Sequence, residues 1–188
     1  MSYNKLNNIL GWLCAVIATL VFVLTAERTT SWWDTGEFIA SAYKLEIVHQ
    51  PGAPLFLMLQ NIFSNFALGN VTQVAFWMNI GSAICSGLTI MFLFWTITAL
   101  VKKTFNKKEE IGTNQLIKIM GAGLIGALAY SFTDTFWYSA VESEVYAMSS
   151  LCTAIVFWAI LKCEARAEEA GADRWLIFIA YVIGLSIG

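Results

Sequence analysis

Charge is scarce in this chain of 188 residues: only 13% are Asp, Glu, Lys or Arg, with 11 basic against 13 acidic side chains. So even a balance gives no general attraction to nucleic acid, and no basic patch with interleaved aromatics is present, which excludes nucleic acid as a partner. Cysteine is equally unpromising as chemistry. Cys14, Cys85, Cys152 and Cys163 stand singly, mostly in apolar runs, without the paired spacing of a zinc or redox site, and read as small buried apolar residues. Histidine occurs once and proline twice. All three fall within six residues, His49-Gln50-Pro51-Gly52-Ala53-Pro54. Proline fixes φ and glycine permits unusual φ, so this stretch reads as a rigid turn that aims the helix after it.

What fills the chain instead is apolar. The hydrophobic fraction is 58% and the mean hydropathy +0.66, more than a soluble domain of this size requires for a core. The expected fold is all-α, a multi-pass transmembrane helical bundle. Spans are predicted at about 9–26, 74–101, 116–132 and 145–161, with 175–188 as a truncated fifth. Because that last run is short of a full crossing, the chain is expected to be the N-terminal module of a longer protein. Leu24-Thr25-Ala26 is a poor cleavage site, so the first run is read as an uncleaved helix rather than a signal peptide.

Two shorter stretches, 34–47 and 53–68, are expected to be helical, the second marginal in length for a crossing. In the second, Gln60, Asn61, Ser64 and Asn65 form one polar stripe, while Leu55, Phe56, Leu59, Ile62, Phe63 and Phe66 cover the remainder. Such a helix would lie in the interface or line a cavity. Loop charge is satisfied by two topologies. If 53–68 does not cross, nine basic residues are cytoplasmic (Lys5, Lys102, Lys103, Lys107, Lys108, Lys118, Lys162, Arg166, Arg174), and Arg28 and Lys44 are external. If it crosses, ten are cytoplasmic and only Lys5 is external. Lys102 to Glu110 and Lys162 to Arg174 read as solvated cytoplasmic loops.

Gly121-Ala122-Gly123-Leu124-Ile125-Gly126 fits a dinucleotide-binding pattern, but no strand precedes it and it lies inside an apolar run. Its glycines, with Ala127, suit close helix packing in lipid.

Three elements carry candidate chemistry. Asp34 and Glu37 follow Trp32-Trp33 just beyond the first apolar run, where a carboxylate near lipid is costly unless it faces water, a partner or a substrate. Two readings compete there: an N-cap with its capping box, or a base that takes a proton from an acceptor hydroxyl. His49 reads either as a turn residue or as a donor to a substrate phosphate or a metal ligand. Near the third predicted loop lies Thr133-Asp134-Thr135-Phe136-Trp137-Tyr138-Ser139-Ala140-Val141-Glu142-Ser143-Glu144-Val145-Tyr146. On a helix Glu142 and Glu144 would point about 200° apart, so only one could face a cavity. Glu142, flanked at helical spacing by Tyr138 and Tyr146, is the better candidate to hold a ligand or a divalent metal.

Taken in order, Trp33-Asp34-x-Gly36-Glu37, His49-x-Pro51-Gly52-x-Pro54-Leu55-Phe56 and Phe136-Trp137-x-x-Ala140-Val141-Glu142-x-Glu144-Val145-Tyr146 resemble a bacterial membrane family of unknown function. That family is related to vertebrate transmembrane protein 260 and resembles the protein O-mannosyltransferases and other glycosyltransferases of the GT-C fold. The resemblance implies an enzyme of the inner (cytoplasmic) membrane with a cytoplasmic N-terminus, its active-site loops outside, and 34–47 and 53–68 as helices lying along the membrane. It would move a sugar from a polyprenyl-phosphate donor to a hydroxyl of a protein or glycan acceptor. It implies Asp34 as catalytic base supported by Glu37, a donor site shaped by His49, Gln50, Pro51 and Gly52, and substrate contacts from Trp137, Glu142, Glu144 and Tyr146. Glu142 or Glu144 would be the acid that in some relatives helps to hold a divalent metal. Protein mannosyltransferases carry adjacent Asp-Glu and a His-Pro-Pro turn, whereas here two residues separate Asp34 from Glu37 and Gln50 precedes Pro51. On this reading these 188 residues alone would have little activity. The competing classes are a transporter or flippase for a lipid-linked substrate, which calls for ionisable groups at mid-span, and a non-catalytic assembly subunit.

Overall fold

The structure, a computed structural model, describes residues 2–105 and 111–187. Lys107, Lys108, Glu109 and Glu110 of the predicted basic loop lie outside the described residues. The described chain is all helical, as expected: α1 Tyr3–Thr25, α2 Thr35–Lys44, α3 Pro54–Ser64, α4 Val74–Lys103, α5 Thr113–Ser131, α6 Asp134–Val141, α7 Val145–Ala165 and α8 Asp173–Ile187. Single turns of 3-10 helix at Asn65–Ala67 and Val71–Gln73 join α3 to α4. By length and composition α1, α7 and the segment Val71–Lys103 can each cross a membrane. The pair α5 and α6, bent by 67°, makes a fourth if it is taken as one broken span.

The long α4 is the axis against which most of the others pack. It runs antiparallel to α1, with Gly11 against Trp95, Gly87 against Thr19, and the Trp95 indole donating to the Asn7 carbonyl at 3.2 Å. A Cβ at Gly87 would fall 1.8 Å from Thr19 Oγ1, so the two backbones approach this closely only because that position has no side chain. Gly123, Gly126 and the fully buried Ala127 seat α5 on Phe94, Ile97 and Thr98 of α4. In lipid, where apolar surface gains little from leaving its surroundings, such small-residue contacts are a principal source of helix association. The core between α1, α4, α5 and α6 includes Phe22, Ile90, Phe94, Ile119 and Phe136.

A second core sits at one end of the bundle, where Phe38, Ile39, Ala42, Val48, Phe56, Leu57 and Met78 hold α2 and α3 against α4. Here α2 stops at Lys44, three residues before its expected end, because Leu45 turns left-handed with φ +55 and its N–H closes on the Ser41 and Ala42 carbonyls. The next helix is also shorter than the expected 53–68. Pro54 starts α3 after left-handed Ala53, and the α-helix ends at Ser64, about 16 Å of helix. Its polar stripe is turned to the neighbouring helices. Gln60 is buried and donates to Ser82 of α4 at 3.1 Å, and Asn61 donates to the Ala42 carbonyl of α2 at 2.8 Å. The amides therefore dock α3 on its neighbours, while Met58, Ile62 and Phe66 face outward.

The two ends differ in character. At one, the Glu27 N–H donates to the Val141 carbonyl at 3.1 Å, Asn79 donates to the Glu27 carbonyl at 2.8 Å, and the acidic segments of α2, α6 and α7 gather. At the other, Lys102 lies over Tyr3, Lys103 pairs with Glu164, and Arg166 lies over Trp175.

Candidate active site

Left-handed Trp33, φ +68, turns the chain into α2. Asp34 then holds the N-cap position in helical backbone, φ −80 and ψ −5, and its side chain makes no capping hydrogen bond. An N-cap carboxylate reaches the N–H groups two and three residues on from extended backbone. The capping-box reading of Asp34 and Glu37 thus fails on geometry. Glu37 is instead occupied by the residue twelve positions on, accepting from the His49 N–H at 2.8 Å and from His49 Nδ1 at 2.9 Å. With Nδ1 so engaged, Nε2 faces Asp34, 3.9 Å from its Oδ2.

These contacts set the charges. The side-chain hydrogen bond to Glu37 raises the His49 pKa above the ordinary 6.5, with the charges of Glu37, Asp34 and Glu144 acting in the same direction. The ring and backbone hydrogen bonds from His49 lower the Glu37 pKa below the ordinary 4.5. The charged pair is therefore complete between the two shifted values. It is lost as pH rises through that of His49 or falls through that of Glu37.

The acidic segment before α7 is not helical, which corrects the expectation that Glu142 and Glu144 point apart. Both lie in extended backbone, φ −132 and −123, between α6 and α7. Their carboxylates are brought to one side by the hydroxyls of Ser31 and Thr35, which lie 3.2 Å apart. Ser31 donates to Glu142 Oε2, and Thr35 donates to Glu144 Oε1 at 2.9 Å. The helix breaks where the Val141 carbonyl takes the Glu27 N–H, and the Glu144 N–H closes on the Glu142 carbonyl at 3.0 Å around buried Ser143. Glu144 is only 5% exposed, and burial raises its carboxyl pKa against the opposing pull of the Thr35 hydroxyl. Tyr138 and Tyr146 are both exposed, and the break takes them off any shared helical face with Glu142.

Asp34, His49 and Glu144 meet on a cavity of about 300 Å³. Pro51, Gly52 and Tyr146 also line it, and Phe38, Phe56, Met148 and Ile187 give it an apolar side. Glu37 stands behind His49, and Glu142 braces the chain ahead of α2. Gln50 is exposed on the turn and is not part of the wall. Trp137 is not brought to the site: its ring packs edge-on against Phe22 at 5.4 Å in the bundle core. Nor do the nearby cations line the cavity, since Arg28 lies over Phe76 and Lys44 sits 3.9 Å from Glu46.

His49, read from the sequence as a possible metal ligand, stands in the one set that could hold a metal among the described residues, whereas Glu142 and Glu144 do not. One ligand atom each from Asp34, Glu37 and His49 lie within 4.8 Å of one another, an oxygen and imidazole set suited to a divalent cation. The Glu142 and Glu144 oxygens are turned to hydroxyls instead. Sequence reasoning missed Ser31 and Thr35, which fasten the acids, and Asn79, which ties α4 to the Glu27 carbonyl. A lone amide in the apolar α4 was a usable signal, because polar groups in such helices are rarely idle.

A helical membrane bundle with an acidic cavity at one end is the class these features define. Residues 34–188 match the family described as the protein O-mannosyl-transferase TMEM260 N-terminal domain, and the chain belongs to that family. The resemblance read from the three motifs is thereby borne out. The match begins at Asp34 and takes in the whole cavity wall. The chain is 24% identical to protein O-mannosyl-transferase tmem260 of Dictyostelium discoideum over 143 residues, which cover 76% of this chain and 16% of that protein. It is 27% identical to protein O-mannosyl-transferase TMEM260 of Mus musculus over 177 residues, 93% of this chain and 22% of that protein. The chain thus spans about a fifth of the length of these curated relatives. No solved structure matches it.

Proposed function

We propose that the chain is the N-terminal module of a GT-C-type glycosyltransferase that moves a sugar, mannose by analogy with its relatives' names, from a polyprenyl-phosphate donor to an acceptor hydroxyl. The observation that carries this reading is the convergence of Asp34, His49 and Glu144, from three separate segments, on one cavity with an apolar side. In the reaction the acceptor oxygen attacks the anomeric carbon as the bond to the lipid phosphate breaks, inverting the centre. Asp34 takes the acceptor proton. His49, whose protonated form the hydrogen bond to Glu37 favours, donates to the leaving phosphate and offsets its charge. Glu144, raised in pKa by burial, would hydrogen-bond a sugar hydroxyl from inside the cavity. A divalent cation held by Asp34, Glu37 and His49 would supply the charge compensation in place of the imidazolium, with Asp34 and His49 then serving as ligands instead of base and donor.

The membrane arrangement follows the same lines. With α1 antiparallel to α4 and both α2 and α3 at the acidic end, α3 lies along the membrane instead of crossing it. Exposed Trp32 and Trp33 sit at the headgroup level, and Met58, Ile62 and Phe66 are turned to lipid. The lysine-rich end is then cytoplasmic by the positive-inside rule, and the cavity opens on the external face of the inner membrane. The apolar wall of Phe38, Phe56, Met148 and Ile187 receives the first isoprene units of the donor.

The test is Asp34→Asn in the full-length protein, assayed for transfer from polyprenyl-phosphate mannose. Loss of a general base is expected to lower the rate by about a hundredfold to ten-thousandfold at unchanged protein level. An unchanged rate would remove Asp34 from the chemistry.

A further inference from the structure

At the opposite end of the bundle from the acidic cavity, the turn from α7 into α8 borders a larger, open hollow of about 550 Å³, within the size range of small-ligand sites. Its walls differ sharply with depth. Trp158, Trp175 and Phe178 form the apolar part, while Arg166 and Arg174 stand in the wall at the turn. Arg166 lies just past the last residue of α7, and Trp158 is seven residues inside that end, about 10 Å along the axis. The hollow therefore runs from the water-exposed turn down beside helices apolar enough for the hydrocarbon region.

The cations are available. Arg166 stacks on Trp175 at 5.6 Å, and its Nε is a loose 3.9 Å from Glu169, a solvent-exposed pair of the kind that contributes little. Among the described residues no carboxylate lies within ion-pair distance of Arg174, and Glu169 is the only acid in the wall. Lys162 lies over Trp158 at 5.4 Å and adds a third positive charge beside the hollow. Two guanidiniums above an aromatic, apolar floor match a molecule with a phosphate at one end and hydrocarbon directly beneath it. A free phosphate would use the rim and leave the floor empty.

We propose that this hollow binds one anionic glycerophospholipid of the surrounding bilayer, its phosphate between Arg166 and Arg174 and its upper acyl chain against Trp158, Trp175 and Phe178. The bound lipid would tie the α7–α8 turn to the membrane. The site is independent of the acidic cavity and of the transfer reaction.

The experiment is native mass spectrometry of the full-length protein titrated with phosphatidylglycerol or phosphatidylcholine. At about a factor of five per surface cation, the double variant Arg166→Gln with Arg174→Gln is expected to bind phosphatidylglycerol roughly thirtyfold more weakly. The Glu169→Gln variant, which leaves both arginines in place and guards against a folding defect in the double variant, is expected to bind it more tightly. The proposal is overturned if the variants bind phosphatidylglycerol as wild type does. It is equally overturned if phosphatidylcholine binds as well, or if glycerol 3-phosphate, with no acyl chains, binds as tightly as the lipid.

Discussion

His49 is fixed by Glu37 through both its backbone N–H and its ring Nδ1, which leaves Nε2 as the atom turned toward Asp34 and the cavity. Its role as a donor to a leaving phosphate requires the protonated ring. Because the Glu37 hydrogen bond is the largest cause raising the His49 pKa above 6.5, transfer is expected to fall on the alkaline side at a pH above that of a free imidazole. In Glu37→Gln the same limb should move to lower pH, since the anion that favours the charged ring is gone. A pH–rate profile of the full-length enzyme decides this, and an alkaline limb that stays in place would detach Glu37 from the behaviour of His49. The sequence carried the two residues as separate candidates, with Glu37 as a possible cap. Its true partner lies beyond a complete helix and its left-handed stop, and that distance is closed only by the packing of Phe38, Val48 and Phe56.

At the scale of elements, the apolar runs located α1, α4, α5 and α7 because long apolar helices announce themselves by length and hydropathy. The glycine run in α5 was legible as packing for the same reason. Only some of those glycines face α4, which gives a sharp contrast. A Cβ at Gly123 would lie 2.6 Å from Thr98 Cγ2 and 2.7 Å from the Phe94 ring, whereas nothing stands within 4 Å of one at Gly121. Gly123→Ala is therefore expected to destabilise the bundle by about 1–3 kcal/mol through overpacking. Gly121→Ala should be neutral or slightly stabilising, since alanine is the better helix former. Thermal unfolding in one detergent compares them, and equal midpoints would mean that α5 does not seat on α4 through this face. The break between α6 and α7 was not legible. A window around Glu142 reads as continuous helix, and what interrupts it is a hydrogen bond from Glu27, more than a hundred residues earlier, to the Val141 carbonyl.

For the whole molecule, the open question in the sequence was on which side of the membrane the first acidic pair lies, because both topologies satisfied the distribution of basic residues. The fold adds a constraint that charge counting lacks. Glu27, Ser31 and Thr35 are hydrogen-bonded to Val141, Glu142 and Glu144, so the two acidic segments share one end of the bundle. A crossing by α3 would separate them. On the proposed topology, Gln50→Cys, on an exposed turn beside the cavity, is expected to react with a membrane-impermeant thiol reagent on intact cells. Ser41 is unsuitable for this purpose because it is buried. Glu168→Cys, exposed near the start of the α7–α8 turn, should label only after the membrane is opened. The four native cysteines are buried or partly so, and wild type supplies the background. The reverse pattern would place the cavity on the cytoplasmic side and remove the external lipid-linked donor from the proposed reaction. Labelling at both positions in intact cells would mean that an even number of crossings separates them, so that one of α4, the bent α5–α6 pair and α7 does not cross the membrane.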